Sequence, residues 1–168
     1  MTFLTTASSS GDDHLAIYLN DRSTAATGGV QLFERSAKGQ LDEARRSALE
    51  LLASEVAKDR ESLLFVMGRL GVKAAKRRVA MGWLAEKAGR LKVNGSVVRR
   101  SSLSDLVELE AMRMGIEGKG CLWRSLRMLS GTDPRLEASE FEALEQRAHA
   151  QIYELETLRL DAAGVLRR

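Results

Sequence analysis

Two carboxylates interrupt an apolar helical stripe near the middle of this sequence. The stretch LASEVAKDRESLLFV, residues 52–66, predicts a helix whose apolar residues recur every three or four positions. Glu55 and Asp59 occupy two of those positions. An isolated buried charge is very costly, so both acids must be paired with cations or bound to a metal ion. The chemistry expected of this stretch is therefore ion pairing or metal coordination.

Polar residues also interrupt the apolar stripes of the other predicted helices. Arg22 stands in the stripe of the first helix, and Gln151 stands in the stripe of the last. The third helix has a less regular pattern, and its candidate face reads Leu103, Leu106, Glu110, Arg113, Glu117, Cys121 and Arg124. Neighbouring helices in a bundle are antiparallel, so mid-helix residues are expected at about the same level. The predicted layer comprises Arg22, Glu55, Asp59, Glu110, Arg113, Glu117 and Gln151.

This layer allows three interpretations. In the first it is a salt-bridge network, with Arg22 and Arg113 neutralising the acids through two-point guanidinium contacts. In the second, four of the acids form an iron or manganese site. In the third, the assumed helical faces are rotated and these residues lie in solvent. The acids neutralised in the first interpretation are Glu55, Asp59 and Glu117, and the metal ligands of the second are Glu55, Asp59, Glu110 and Glu117.

The histidine placement argues against the metal site. Helical-bundle sites for iron or manganese use a Glu from each of two helices and a Glu-x-x-His from each of the other two. Here the residue three positions after Glu55 is Lys58, and the one three positions after Glu110 is Arg113. The only histidines are His14, at the start of the first predicted helix, and His149, off the stripe of the last and expected to be exposed. No metal or other cofactor is therefore expected, with iron or manganese as the alternative.

Composition and periodicity predict one all-α domain. The 168 residues include one proline and few aromatics, and they suit a single core. Long helices separated by the turns around Gly39 and Gly131 form two antiparallel hairpins. A long, partly helical basic crossover, residues 72–100, joins them, as in a ferritin-like four-helix bundle. The predicted units are a flexible tail at 1–11 and a domain at 12–168, with helices at about 12–37, 41–70, from a cap at Ser102 or Ser104 to 129, and 134–166.

The same composition limits the cellular location and the partners. No apolar run approaches the roughly 18 residues that span a bilayer. The N-terminal residues lack the basic and apolar regions of a secretory signal. The single Cys121, expected to be a small core residue, excludes an internal disulfide and fits a reducing cytoplasm. We therefore expect a cytoplasmic protein without a membrane partner, which forms a homo-oligomer or binds a protein partner.

The crossover concentrates the positive charge. Residues 73–100 contain nine basic residues and one acid, Glu86, so the net charge of this segment is +8. Since the whole chain has a net charge of +3, the other residues together carry −5. Phosphates could bind here, and nucleic acid is therefore a possible partner of residues 73–100. The basic residues are spread around the helix, which favours a solvated surface instead. The candidate basic surface is Lys73, Lys76, Arg77, Arg78, Lys87, Arg90, Lys92, Arg99 and Arg100.

Small residues mark the first helix at AATGG, residues 25–29. Two glycines inside a helix each cost roughly 1 kcal/mol relative to alanine. Close packing of another helix is the favoured interpretation, and a ligand pocket is the alternative.

Three strings carry a family resemblance. HLAIYLNDRSTAATGGVQLFER, LSDLVELEAMRMGIEGKGCLWRSL and the Asn94-Gly95 pair after the basic crossover resemble a group of small actinobacterial helical proteins of the ferritin-like superfamily. The resemblance covers about residues 14–160 and implies a fold without an activity. The function hypothesis is a non-enzymatic scaffold or interaction protein with an Arg–carboxylate network in place of a metal centre. The alternatives are a carboxylate-rich iron or manganese protein and a nucleic-acid-binding protein.

Overall fold

The computed structural model describes residues 6–75 and 102–167, with side chains over 11–75 and 103–167. The described residues form four long helices and one short 3₁₀ helix, and they contain no strand. The prediction of an all-helical fold is confirmed for this part of the chain. None of these helices is long and apolar enough to cross a membrane. They are α1 (Thr6–Lys38), α2 (Glu43–Arg69), α3 (Ser102–Leu129) and α4 (Ala138–Ala162), followed by the 3₁₀ helix Ala163–Arg167.

Helix α1 begins earlier than its sequence pattern indicates. Residues 6–11 are helical, although a flexible tail was predicted over 1–11. Gly11 and Asp12 line the same cavity as Pro134 and Arg135 in the turn between α3 and α4. The start of α1 therefore lies beside the turn between α3 and α4.

Helix α4 begins later than predicted, at Ala138 instead of Pro134. Asp133 organises a separate turn before it, in which its carboxylate accepts a hydrogen bond from the backbone N–H of Arg135 at 3.0 Å. The Arg135 guanidinium also pairs with Asp133 and lowers the pKa of that carboxyl to about 2. The same guanidinium donates to the backbone carbonyl of Leu70 at 3.2 Å, so the turn is fixed against the end of α2.

Side-chain pairs at the two ends of the bundle define its topology. At one end, Arg69 of α2 pairs with Glu140 of α4 at 2.7 Å. At the other, Gln40 after α1 donates to Asp105 of α3 at 3.4 Å. Helix α2 therefore ends where α4 begins, and α3 begins at the opposite end. Each helix is antiparallel to its contacting neighbours, α1 with α2 and α3, and α4 with α3 and α2.

The buried stripes of α2 and α4 follow the predicted faces. The predicted stripe of α2 is buried apart from the half-buried Ala48 and Glu55, and Asp59 lies inside it; the stripe comprises Ala48, Leu52, Glu55, Asp59, Leu63, Val66 and Leu70. The stripe of α4 from Phe141 to Ala162 includes the buried Gln151 and a half-buried Leu158. Trp123 of α3 stacks on Phe141 at 6.4 Å between ring centroids. These two helices present the faces that their 3.6-residue periodicity indicates.

The face assigned to α3 was wrong. The predicted face included Leu103, Glu110, Cys121 and Arg124, all of which are exposed. Apolar residues occur on nearly opposite sides of this helix, so periodicity alone did not identify the buried side. The residues that α3 buries are Leu106, Leu109, Met112, Ile116, Gly120, Leu122, Trp123 and Leu126.

Candidate functional site

Asp59 is the most deeply buried acid among the described residues. It lies in the middle of α2, and its side chain is only 1% exposed. The Lys119 ammonium, from α3, contacts its Oδ2 atom. The Arg147 guanidinium, from α4, forms an ion pair with its Oδ1 atom but places no N–H in line with that oxygen. One buried carboxylate thus meets cations from two other helices, as the cost of an isolated buried charge requires.

Gln151 connects the acids and the lysine. Its Nε2 atom donates to Glu55 Oε2 at 3.0 Å and to Asp59 Oδ2 at 3.2 Å. Its Oε1 atom accepts a hydrogen bond from Lys119 Nζ. The amide therefore uses both of its ends, which satisfies a buried polar side chain. We call Glu55, Asp59, Lys119, Arg147 and Gln151 the Asp59 cluster.

The Asp59 cluster is formally neutral, because two carboxylates face one ammonium and one guanidinium. Burial lowers the pKa of Lys119 below its ordinary value of 10.5, and the nearby Asp59 carboxylate partly opposes this shift. The lysine side chain is 13% exposed, while the Arg147 side chain is 35% exposed and reaches solvent. Lys119 is therefore the more strongly desolvated of the two cations.

Three residues of the predicted charged layer are in this cluster. Glu55, Asp59 and Gln151 come together at one level, as expected for antiparallel helices. The cations on Asp59, however, are Lys119 and Arg147, where Arg22 and Arg113 had been expected. The difference arises because α3 is rotated about its axis relative to the predicted orientation, which turns Arg113 out of the core.

Arg22 lies on the opposite side of α3 from Arg113. Its guanidinium carbon is 4.9 Å from the ring centroid of Tyr18 in a cation–π contact. Its Nη1 atom approaches the backbone at Gly118, where an added Cβ would lie 3.2 Å away. Within residues 11–75 and 103–167 it makes no ion pair with Glu55 or Asp59.

The other predicted acids of α3 pair at the surface. Arg113 lies 3.7 Å from Glu117 and 3.2 Å from Glu156. Glu110 is exposed and lies 3.8 Å from Arg159. These ion pairs run along the α3–α4 groove, and the predicted four-acid metal site is not assembled there.

The sequence contained a signal for Lys119 that the interpretation of α3 missed. The positions Leu109, Met112, Ile116, Lys119 and Trp123 follow helical spacing, so the lysine interrupts the true core stripe of α3. Arg147 has a weaker signal, because it is four residues before Gln151 on α4. Its long side chain reaches Asp59 from the edge of the buried face.

The remaining candidate residues lie outside the cluster. His14 and His149 are exposed, the latter as predicted. Cys121 is exposed as well, where a core position was predicted, and its sulfur accepts a hydrogen bond from Arg124 at 3.3 Å. It lies on the outward side of α3, opposite the core face.

Of the candidate basic surface, the structure describes Lys73, whose side chain is exposed. Its backbone carbonyl accepts a 3.3 Å hydrogen bond from the Asn20 amide on α1. The other eight residues, from Lys76 to Arg100, lie outside the described residues.

The chemistry of the Asp59 cluster is that of mutual neutralisation. Asp59 Oδ2 contacts Lys119 and accepts a hydrogen bond from Gln151, while Oδ1 faces the Arg147 guanidinium without a hydrogen bond, so both oxygens face cations of the chain. Across the described ranges, no group of three or more His, Cys, Asp or Glu residues has the arrangement of a metal site. Comparisons with protein-family models, with curated proteins and with solved structures found no match to this chain.

Proposed function

We propose that this protein is a non-enzymatic, cytoplasmic scaffold or interaction protein with the ferritin-like bundle topology. The ends of the described helices support that topology. Arg69 and Glu140 bring the end of α2 to one end of the bundle, while Gln40 and Asp105 bring the start of α3 to the other. The end of α2 and the start of α3 therefore lie at opposite ends of the bundle. Two antiparallel hairpins joined by a long crossover form the ferritin-like architecture.

The position of Lys119 carries the functional proposal. Its ammonium lies between a carboxylate of α2 and an amide oxygen of α4, in the interior where a carboxylate bundle would hold a metal ion. A cation supplied by the chain itself neutralises Asp59 without a cofactor. We infer that the charged layer is structural and that the surface of the bundle performs the function.

The residues present do not fit an iron or manganese centre. Such centres need several acids with an excess of negative charge, and imidazole ligands beside them. In the Asp59 cluster the charges balance, and both cations would repel a divalent ion at close range. Lys58 and Arg113 occupy the positions at which the ligand pattern requires histidine.

Elemental mass spectrometry of the purified chain tests this proposal. The protein is incubated with ferrous iron or manganese and passed through a desalting column. We expect no retained metal. Near-stoichiometric metal that is lost in Asp59→Asn and kept in Glu61→Gln, a matched exposed acid on α2, would overturn the proposal.

A further inference from the structure

Helix α3 presents an apolar stripe to solvent along its whole length. Leu103 and Val107 begin it, and Met114, Cys121 and Met128 continue it at intervals of seven residues. Met114 is 59% exposed and Met128 is 74% exposed. At 100° per residue, the stripe lies opposite the face that α3 buries against α1 and α4. These side chains therefore lie outside the core of the described bundle, although Cys121 accepts a hydrogen bond from Arg124 of the same helix.

A seven-residue apolar repeat is the pattern by which helices pack side by side in coiled coils. We propose that the α3 stripe binds the α3 stripe of a second copy of this chain, antiparallel and across a two-fold axis. The proposal rests on the outer surface of α3 and is independent of the role of the Asp59 cluster.

The repeat determines which residues meet. An antiparallel pair centred near Gly118 places Val107 opposite Met128 of the second copy, and Met114 opposite Cys121 of the second copy. This alignment uses the whole repeat from residue 107 to 128. A shift of seven residues, which would place Cys121 opposite its own equivalent, loses the contacts of Val107. The centred alignment therefore buries more apolar surface.

Charge complementarity selects the antiparallel direction. A two-fold axis brings the same edge of both helices together, so Glu110 lies across from Arg124 of the second copy, twice in each dimer. A parallel pair across a two-fold axis would place this charged edge against the opposite edge of the second copy, where Ala111, Gly118 and Ser125 lie, so Glu110 would meet no opposite charge. Glu117 lies beside the axis, and its own Arg113, 3.7 Å away, offsets the repulsion between the two copies. Opposite charges across an interface set its orientation in this way.

Small residues line the other edge of the stripe. Ala111, Gly118 and Ser125 recur there at seven-residue spacing. In the centred alignment Gly118 lies at the axis, and Ala111 faces Ser125 of the second copy. Small side chains allow two helices to approach closely, as they do in helix pairs generally.

The size of the contact sets the expected affinity. A 28-residue helix is about 42 Å long at 1.5 Å per residue. With a contact strip about 10 Å wide, two copies bury roughly 800 Å², below the roughly 1,200–2,000 Å² of stable complexes. We therefore expect a reversible dimer with a micromolar dissociation constant.

Sedimentation velocity over a concentration series tests the surface. Met114→Glu is compared with Leu51→Glu, which changes a similarly exposed apolar residue on a different helix, α2. We expect wild type and Leu51→Glu to dimerise and Met114→Glu to remain monomeric. A wild type that is monomeric at a concentration of about 200 µM, well above a micromolar Kd, or a dimer unaffected by Met114→Glu, would overturn the proposal.

Disulfide mapping tests the alignment. After mild oxidation, Met114→Cys should form a covalent dimer whose bond joins the thiol at position 114 to Cys121 of the second copy. The matched control is Tyr153→Cys, an exposed position on α4, which should stay uncrosslinked. Wild type should also stay uncrosslinked, because its two thiols are offset by about 10 Å along the helices. A bond between two thiols at position 114, or between two Cys121 residues, would contradict the centred antiparallel alignment.

Discussion

Replacing Asp59 with leucine tests whether matched charges hold the Asp59 cluster together. The substitution removes the carboxylate that both Lys119 and Arg147 contact. The Arg147 side chain is 35% exposed and can turn towards water, whereas the Lys119 side chain is 13% exposed and is left near Glu55 and Gln151. Asp59→Leu therefore strands about one charge.

The expected loss is a large part of the stability of a domain this size. Breaking a buried ion pair from one side costs about 3–5 kcal/mol. We expect about 3 kcal/mol, at the lower end, because Arg147 can reach solvent and Glu55 still attracts the lysine. A typical domain unfolds with about 5–15 kcal/mol. With a urea m value of about 2 kcal/mol/M, the midpoint should fall by about 1.5 M.

A double-mutant cycle separates pairing from packing. Lys119→Met alone should cost about 1–2 kcal/mol, since Arg147 still covers Asp59. The double variant Asp59→Leu/Lys119→Met should unfold within about 1 kcal/mol of wild type, because an apolar pair often replaces a buried ion pair without loss. The coupling free energy, which is the sum of the two single losses less the loss in the double variant, should then be about 3–5 kcal/mol.

The cycle is measured by urea unfolding of the four proteins at pH 7. Additive losses in the double variant, or a loss below about 1 kcal/mol in Asp59→Leu, would refute the ion-pair account. Glu55→Ala is a useful comparison. If Arg22 or Arg113 neutralised Glu55, as in the first interpretation of the sequence, this substitution would strand an arginine and cost several kcal/mol. Its described partner is the Gln151 amide at 3.0 Å, so about 1 kcal/mol is now expected.

Two further predictions concern pH and a helix glycine. Because burial lowers the pKa of Lys119, the folded protein releases this proton at a lower pH than the unfolded chain does. The free energy of unfolding of wild type, relative to that of Lys119→Met, should therefore rise as the pH increases towards 10.5. Urea unfolding at a series of pH values, with Lys58→Met as the exposed control, measures this difference, and a difference that stays flat or falls would contradict the prediction. Gly29→Ala should raise the free energy of unfolding by about 0.5–1 kcal/mol, because its Cβ would contact nothing within 4 Å. Gly118→Ala, whose Cβ would lie 3.2 Å from Arg22, should raise the free energy of unfolding by less than Gly29→Ala does. If urea unfolding gives equal increases for the two variants, the Arg22 side chain moves aside without cost.

The small residues at AATGG illustrate how local sequence and packing can differ. Close helix packing was expected at this site, and at one of its glycines, Gly29, nothing lies within 4 Å of an added Cβ. A closer approach occurs at Gly118, where the Arg22 guanidinium crosses from α1 to α3. Glycine spacing marks where a close approach is possible, and only the neighbouring helix determines whether it occurs.

The sequence by itself determined the helical class and two of the four faces. In α2 and α4 the apolar residues lie on one side, so the polar Asp59 and Gln151 were visible as interruptions of a stripe that had to be buried. Antiparallel neighbours then required mid-helix residues to share a level, and Gln151 does hydrogen-bond both Glu55 and Asp59.

Only the tertiary structure decided which cations neutralise those acids. Helix α3 has apolar residues on two opposite sides, the core face of Leu109 and Trp123 and the outward face of Met114 and Met128. Its periodicity is satisfied by either orientation, and contact with α1 and α4 selects the first. That rotation brings Lys119 onto Asp59 and leaves Arg113 at the surface, because two side chains on one helix cannot both face the same core when they are about 120° apart.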